Sequence, residues 1–125
     1  MADEEQENNL SKEDRERLLQ LREIVRMFQE KNENMPVQVI NVLLTVALNE
    51  GKSMRELMRL ADIESQSTIS RHLIDLGPRN RYKKEGYKLV QSKVDPMEMR
   101  KKNYTLTKNG RRLTSSILEK LRDTP

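Results

Sequence analysis

Apolar positions in the first half of the chain recur at the spacing of a helix. They follow Ser11, a residue type that caps helix starts, and predict a long amphipathic helix over residues 11–32. The stripe consists of Leu18, Leu21, Val25 and Phe28. Residues 37–48 are apolar on nearly every side and predict a central core helix, with Pro36 as its first residue.

Two short helices joined by a tight turn are predicted next. Ser53 and Glu56 form the capping-box pattern at the start of the first helix, and Ser65 is suited to cap the second. The apolar side of the second helix consists of Ile69, Leu73 and Leu76. Helix, short turn and helix over residues 53–76 is the helix-turn-helix arrangement, whose second helix enters the major groove of DNA.

A hairpin and a last helix complete the predicted elements. Two segments rich in strand-forming residue types flank the turn signal Asp95-Pro96 and predict a basic hairpin, or wing, over residues 87–106. Asp95 is expected to brace this hairpin by pairing with Arg100. The last helix, residues 107–122, carries an apolar stripe at Leu113, Ile117 and Leu121.

Charge divides the chain into two unlike halves. Residues 1–50 hold 6 basic and 11 acidic side chains, whereas residues 51–125 hold 18 basic and 9 acidic ones. The basic excess accompanies the helix-turn-helix, as expected for a polyanion partner. Residues 1–10 are acidic and lack apolar anchors apart from Leu10, so we expect a disordered tail there. We expect a single domain over residues 11–125.

Composition excludes several classes of site. The chain has no cysteine and one histidine, so disulfides, cysteine nucleophiles and zinc sites are not expected. His72 has no second histidine or cysteine with which to form a catalytic relay, and we expect no enzyme, no metal and no cofactor. Because no apolar run is long enough to span a bilayer, we expect a cytoplasmic protein without a membrane partner.

The polar side of the second short helix carries residue types that read base edges. Glutamine pairs with adenine and arginine with guanine in bidentate fashion, and a helix N-terminus favours phosphate. The candidate contacts on this recognition helix are Ser65, Gln66, Ser67, Thr68, Ser70 and Arg71. The candidate contacts on the wing are Lys93, Arg100, Lys101 and Lys102. In the segment between them, an extended basic contact and a solvated loop are equal alternatives for Arg79, Arg81, Lys83 and Lys84.

The first and last helices, residues 11–32 and 107–122, are the candidate dimerisation elements. A short last helix with an apolar stripe needs a surface to pack on, and the long first helix offers one, in the same chain or in another. We favour contact with a second chain. The candidate dimerisation residues are Leu18, Leu21, Val25, Phe28, Leu113, Ile117 and Leu121.

The order of several short motifs resembles that of the MarR family of bacterial winged-helix transcription regulators. The matching motifs are Ser-Met-Arg-Glu-Leu at residues 53–57, Ser-Thr-Ile-Ser-Arg at 67–71, Leu-Val at 89–90, Asp-Pro at 95–96 with Arg-Lys at 100–101, and Leu-Thr-Lys-Asn-Gly-Arg-Arg-Leu at 106–113. The insertion at residues 79–87 resembles divergent or phage-borne members. A second departure is the methionine at position 99 of the wing loop, where the family usually has a cation.

This resemblance implies a mainly α fold with a small β-hairpin wing (α+β), a homodimer built from the terminal helices, and repression from a pseudo-palindromic site on double-stranded DNA. Many members of the family bind small phenolic effectors, but no set of residues here indicates such a pocket. A sequence-specific transcription regulator is therefore the leading hypothesis. A winged-helix adaptor for protein interaction and a non-specific architectural DNA-binding protein are the alternatives.

Overall fold

The computed structural model describes residues 10–122, so the predicted tail lies outside the described residues except for Leu10. The helices are α1 (Lys12–Lys31), α2 (Val37–Leu48), α3 (Met54–Leu60), α4 (Gln66–Asp75) and α5 (Lys108–Arg122), and the strands are β1 (Lys52–Ser53), β2 (Val90–Val94) and β3 (Lys102–Leu106). This is the predicted mainly α fold with a wing. None of the described helices combines the length and apolar character needed to cross a membrane.

The helix starts follow local capping chemistry. Ser11 Oγ accepts a hydrogen bond from the Asp14 backbone N–H at 3.0 Å. At α3 the predicted capping box is present, because Ser53 Oγ accepts from the Glu56 N–H and the Glu56 carboxylate accepts from the Ser53 N–H. Pro36 stands one position earlier than predicted, as the N-cap of α2, since its ψ of 143° is extended rather than helical.

The sheet is antiparallel with the strand order β1-β3-β2. The β2–β3 pairing runs from Val90 opposite Leu106 to Val94 opposite Lys102, which confirms the predicted hairpin. The short strand β1 was not predicted, because two residues are too few to show an alternating pattern. It pairs with β3 after Gly51, whose φ of 88° is readily adopted only by glycine.

One apolar core joins all five helices to the base of the wing. Its fully buried side chains are Val39, Val42, Leu43, Val46, Leu57, Ile69, Leu76, Leu89 and Val90. α5 packs on α1 of the same chain, where Gln20 Nε2 donates to the Lys120 carbonyl at 3.2 Å and Glu23 pairs with Lys120.

This packing changes the predicted set of dimerisation residues. Phe28, Leu113 and Ile117 are buried in the core of the single chain, because α1 and α5 cover each other there. These three side chains therefore present no free surface to a second chain. The four that remain exposed are Leu18, Leu21, Val25 and Leu121.

Candidate nucleic-acid interface

Helix α4, the predicted recognition helix, is held by its apolar side and exposes its polar side. Ile69, Leu73 and the C-cap Leu76 are buried, as predicted. In the turn that precedes the helix, Ile63 is buried and Asp62 adopts a φ of 56°, at the point where glycine is common in such turns. These anchors orient the first turns of α4 away from the core.

Side-chain hydrogen bonds order the exposed face of α4. Ser65 Oγ accepts from the Thr68 N–H at 3.3 Å and lies 2.8 Å from Ser67 Oγ. Arg71 Nη2 donates to Thr68 Oγ1 at 3.3 Å, which directs the guanidinium toward the start of the helix. Gln66, Ser67 and Arg71 are exposed, while Thr68 and Ser70 are half-buried. The structure thus leaves Ser65, Gln66, Ser67 and Arg71 accessible at the start of α4, while Thr68 and Ser70 are partly covered.

Asp95 braces the wing turn, but its partners differ from the predicted one. Asp95 Oδ1 accepts from the Met97 N–H at 2.8 Å, and Oδ2 accepts from Asn103 Nδ2 at 3.2 Å. These bonds, first the one from Met97 and then the one from Asn103, lower the pKa of Asp95. The expected pairing with Arg100 is wrong, because the carboxylate accepts instead from Met97 in the turn and from Asn103 of β3.

Three wing cations gather beside the start of α3. A cleft of about 500 Å³ is lined by Arg100, Lys101 and Lys102 together with Arg55. Lys101 Nζ lies 3.9 Å from Glu56 Oε1, so the wing contacts the capping-box residue of α3. Sequence reasoning missed Arg55, although the capping box placed it on the first turn of the helix that crosses the DNA backbone in this arrangement.

Lys93 does not belong to this cluster. It pairs with Asn103 across the hairpin, whereas the neighbouring pair is Val94 and Lys102. Because successive residues of a strand point to opposite faces of the sheet, Lys93 and Lys102 lie on opposite faces of the wing. The four predicted wing cations therefore form a group of three and a separate fourth.

The fold matches several solved structures, although no protein-family model matches the chain and no curated protein matches its sequence. MepR of S. aureus in complex with DNA is 19% identical, covers 87% of this chain and 84% of its own, and gives a TM-score of 0.58. MarR is 19% identical over 83% of this chain and 71% of its own, with a TM-score of 0.57. BpsR of Bordetella bronchiseptica is 21% identical over 82% of this chain and 73% of its own, with a TM-score of 0.56. The DNA binding of BpsR is regulated by 6-hydroxynicotinic acid.

This chain has the MarR-like winged-helix fold. The resemblance found in the sequence is thus confirmed for the fold, at sequence identities of 19–21%. α1 and α5 are its terminal helices, α3 and α4 its helix-turn-helix, and β2 and β3 its wing.

The insertion in this MarR-like fold is ordered against the end of α4. Arg79 and Glu85 form an antiparallel bridge, and a side chain at Gly86 would place its Cβ 2.2 Å from the Gly77 carbonyl oxygen. Arg81 Nε lies 3.7 Å from Asp75 Oδ2, and its guanidinium lies 5.2 Å from the centre of the Tyr82 ring. Arg81 is thus engaged within the chain. The other predicted cations of the segment, Arg79, Lys83 and Lys84, are exposed.

Glu50 joins three elements at the base of the wing and was also missed by sequence reasoning. Its Oε1 accepts from the Leu106 N–H and from Arg111 Nη2, both at 2.8 Å, and its Oε2 accepts from Arg111 Nη1 at 3.0 Å. The Leu106 bond is the main reason that the pKa of Glu50 is lowered, and Arg111 adds to it. No local signal connects residues so distant in sequence.

His72 lies on the side of α4 that faces α2. Its Nε2 is 2.7 Å from Gln38 Oε1, and its Nδ1 is buried without a hydrogen-bond partner within residues 10–122. Burial is the main reason that the pKa of His72 is lowered. This side chain takes no part in the exposed face of α4. The described residues contain no group of acidic or histidine side chains that could hold a metal ion.

Proposed function

We propose that this protein is a sequence-specific transcription regulator that binds double-stranded DNA as a homodimer on a pseudo-palindromic site and represses transcription there. One observation carries the proposal: the polar face of α4 is exposed, and three wing cations gather against α3, the helix that packs on α4. The DNA complex of MepR, a protein of the same fold, supports it.

In this proposal the two parts of the interface have different tasks. α4 enters the major groove, where Gln66 and Arg71 contact base edges. Arg55 on α3 and the wing cations contact phosphates, which adds affinity that does not depend on sequence and weakens with salt.

Dimerisation is proposed through the exposed apolar stripe of α1. Leu18 and Leu21 are 52% and 57% exposed, and Val25 continues the stripe one turn further along the helix. Leu121 is exposed near the end of α5, next to Lys120, which contacts α1. Apolar side chains that recur along one helix face and remain exposed favour a partner chain. A dimer that covers a promoter would block transcription by occupying it.

The test is a binding selection with the purified full chain and a random duplex library. We expect two inverted half-sites whose centres lie about 34–36 Å apart, one turn of duplex. The selected duplex should bind about 10³-fold or more tightly than a scrambled duplex of equal length, at each of several salt concentrations.

Two outcomes would contradict the proposal. Steep salt dependence with equal affinity for both duplexes would indicate an architectural protein. Weak binding to both duplexes at every salt concentration would favour the adaptor. Repression is tested separately, with a reporter placed behind the selected site and compared with one behind the scrambled site.

A further inference from the structure

The tip of the wing carries two methionines that are almost fully exposed. Met97 is 93% exposed and Met99 is 79% exposed, which makes Met97 the most exposed large apolar side chain in the described part of the chain. Single exposed apolar residues are common on protein surfaces. Here, however, two of them follow Pro96 in the turn that joins β2 and β3 of a candidate DNA-binding element.

The turn that holds these methionines is fixed by hydrogen bonds. The Asp95 N–H donates to the Lys101 carbonyl at 2.8 Å, and the Lys101 N–H donates to the Glu98 carbonyl at 2.9 Å. Asp95 Oδ1 also accepts from the N–H of Met97 itself at 2.8 Å. The methionines therefore project from an ordered backbone turn, so a ligand would have to order only their side chains.

Charge around the tip indicates which ligand fits it. Glu98 stands between the two methionines, Arg100, Lys101 and Lys102 follow them, and Lys101 Nζ lies 3.9 Å from Glu56 of α3. An apolar tip with cations behind it suits a ligand that has phosphates at its surface and an apolar interior. The cations would contact the phosphates while the methionines enter the interior. The base stack of duplex DNA has this arrangement, and apolar side chains inserted from the minor groove are a known means of bending it.

We propose that Met97 and Met99 form an apolar wedge that enters the minor groove beside the α4 contact, partly unstacks one base-pair step and bends the duplex. This inference rests on the proposed function. Wedges of this type bend DNA by roughly 20–90° toward the major groove. Because pyrimidine–purine steps unstack most easily, the wedge adds a sequence preference at a position without hydrogen bonds to bases.

The bend is measured with the duplex recovered by the binding selection, labelled at its two ends with a donor and an acceptor dye. At saturating wild-type protein, energy transfer should rise as the ends approach each other. The double variant Met97→Ala/Met99→Ala should bind the same duplex and lose this rise. Since both side chains are exposed, the thermal stability of the variant should equal that of the wild type.

Two controls separate the wedge from the charges. Arg100→Ala should lower the affinity for the duplex and make that affinity less dependent on salt. At saturating protein, the duplex should still be bent. Met97→Leu/Met99→Leu should retain the bend, because leucine also serves as an apolar wedge. In a duplex with 2-aminopurine at the step facing the wing, fluorescence should increase with the wild type and not with the alanine double variant.

The outcomes distinguish this inference from the proposed function. A selected duplex that binds specifically but shows the same energy transfer free and bound overturns the wedge and leaves the regulator intact. A bend that the alanine double variant retains also overturns the wedge. If the selection recovers no duplex, both proposals fail. In that case, the tip would be assigned to membranes if the wild type binds anionic vesicles tightly and the alanine double variant does not.

Discussion

Arg71 and Lys101 both carry a positive charge at the candidate interface, but their surroundings differ. The Arg71 guanidinium is directed by Thr68 along the exposed face of α4, a geometry suited to a base edge. Lys101 extends from the wing to Glu56, a geometry suited to a phosphate. Exposed ion pairs of this kind contribute little stability, so a phosphate readily replaces the carboxylate.

We expect Arg71→Ala to cost about 1–3 kcal/mol of binding and to relax specificity at one base pair. Lys101→Ala should weaken binding to all sequences equally and reduce the slope of log affinity against log salt by about 1. The measurement is a titration of each variant against the selected duplex and its single-base substitutions. The same response from both variants would refute this division of tasks.

Glu50 leads to a prediction about pH and stability. Its folded pKa is lowered by the Leu106 N–H and by Arg111, so its stabilising contribution is present above the ordinary glutamate pKa of about 4.3 and disappears as the pH falls through the folded value. Glu50→Gln should therefore be less stable than the wild type at pH 7, and the difference should shrink toward about pH 3.

Urea unfolding at the two pH values checks this expectation. Glu30→Gln, a change at an exposed position of α1, is the matched control and should follow the wild type at both. A stability difference between Glu50→Gln and the wild type that is the same at neutral and acidic pH would show that the carboxylate charge plays no role.

At the scale of elements, the close approach of α5 to β2 positions the wing. A Cβ at Gly110 would lie 2.2 Å from the Leu89 carbonyl oxygen, so the helix backbone meets the start of the strand directly. The same carbonyl accepts from the Thr107 N–H at 3.0 Å. The wing is thus placed relative to α5 by contacts between backbones, which cannot adjust by rotating a side chain.

Gly110→Ala should destabilise the protein by about 1–3 kcal/mol, because a backbone segment must move to admit the methyl group. Asn109→Ala, at the exposed neighbouring position of α5, should stay within about 0.5 kcal/mol of the wild type. Chemical unfolding of both variants measures the effect. Equal stabilities would mean that α5 can shift freely against β2.

At the scale of the whole molecule, the two halves of the chain differ in charge and in proposed task. The acidic half contains α1 and α2, and the basic half contains α3, α4 and the wing. Dimerisation through α1 and the end of α5 would leave α3, α4 and the wing of both chains free for one face of a duplex. Electrostatic attraction to DNA would then be concentrated where α4 lies.

We expect Leu18→Glu/Leu21→Glu to convert a dimer into a folded monomer and to weaken binding to the full site far more than to a half-site. Charges at these positions would be buried unpaired between two chains, which is costly. Sedimentation equilibrium measures the mass. Val37→Glu/Leu48→Glu, at two exposed apolar positions of α2, is the control and should leave the dimer intact. A dimer with both variants would place the interface elsewhere.

Much of the fold could be predicted from residues that lie close together in sequence. The capping box at Ser53 and Glu56, the cap at Ser65 and the buried side of α4 all depend on contacts within a few residues, and each was found in the structure. The wing was predicted for the same reason, because strand-forming residue types and a turn signal are local. The polar face of α4 followed once its apolar face was known.

Contacts between distant segments could not be predicted in this way. Their spacing placed Phe28, Leu113 and Ile117 on the apolar sides of the first and last helices. Spacing alone does not say whether the same chain or another chain covers those sides. The bonds from Glu50 to Leu106 and Arg111, and the separation of Lys93 from Lys102, depend on how α2, α5 and the strands are placed relative to one another. Local sequence specifies which side of each element is apolar, and packing between elements determines what that side meets.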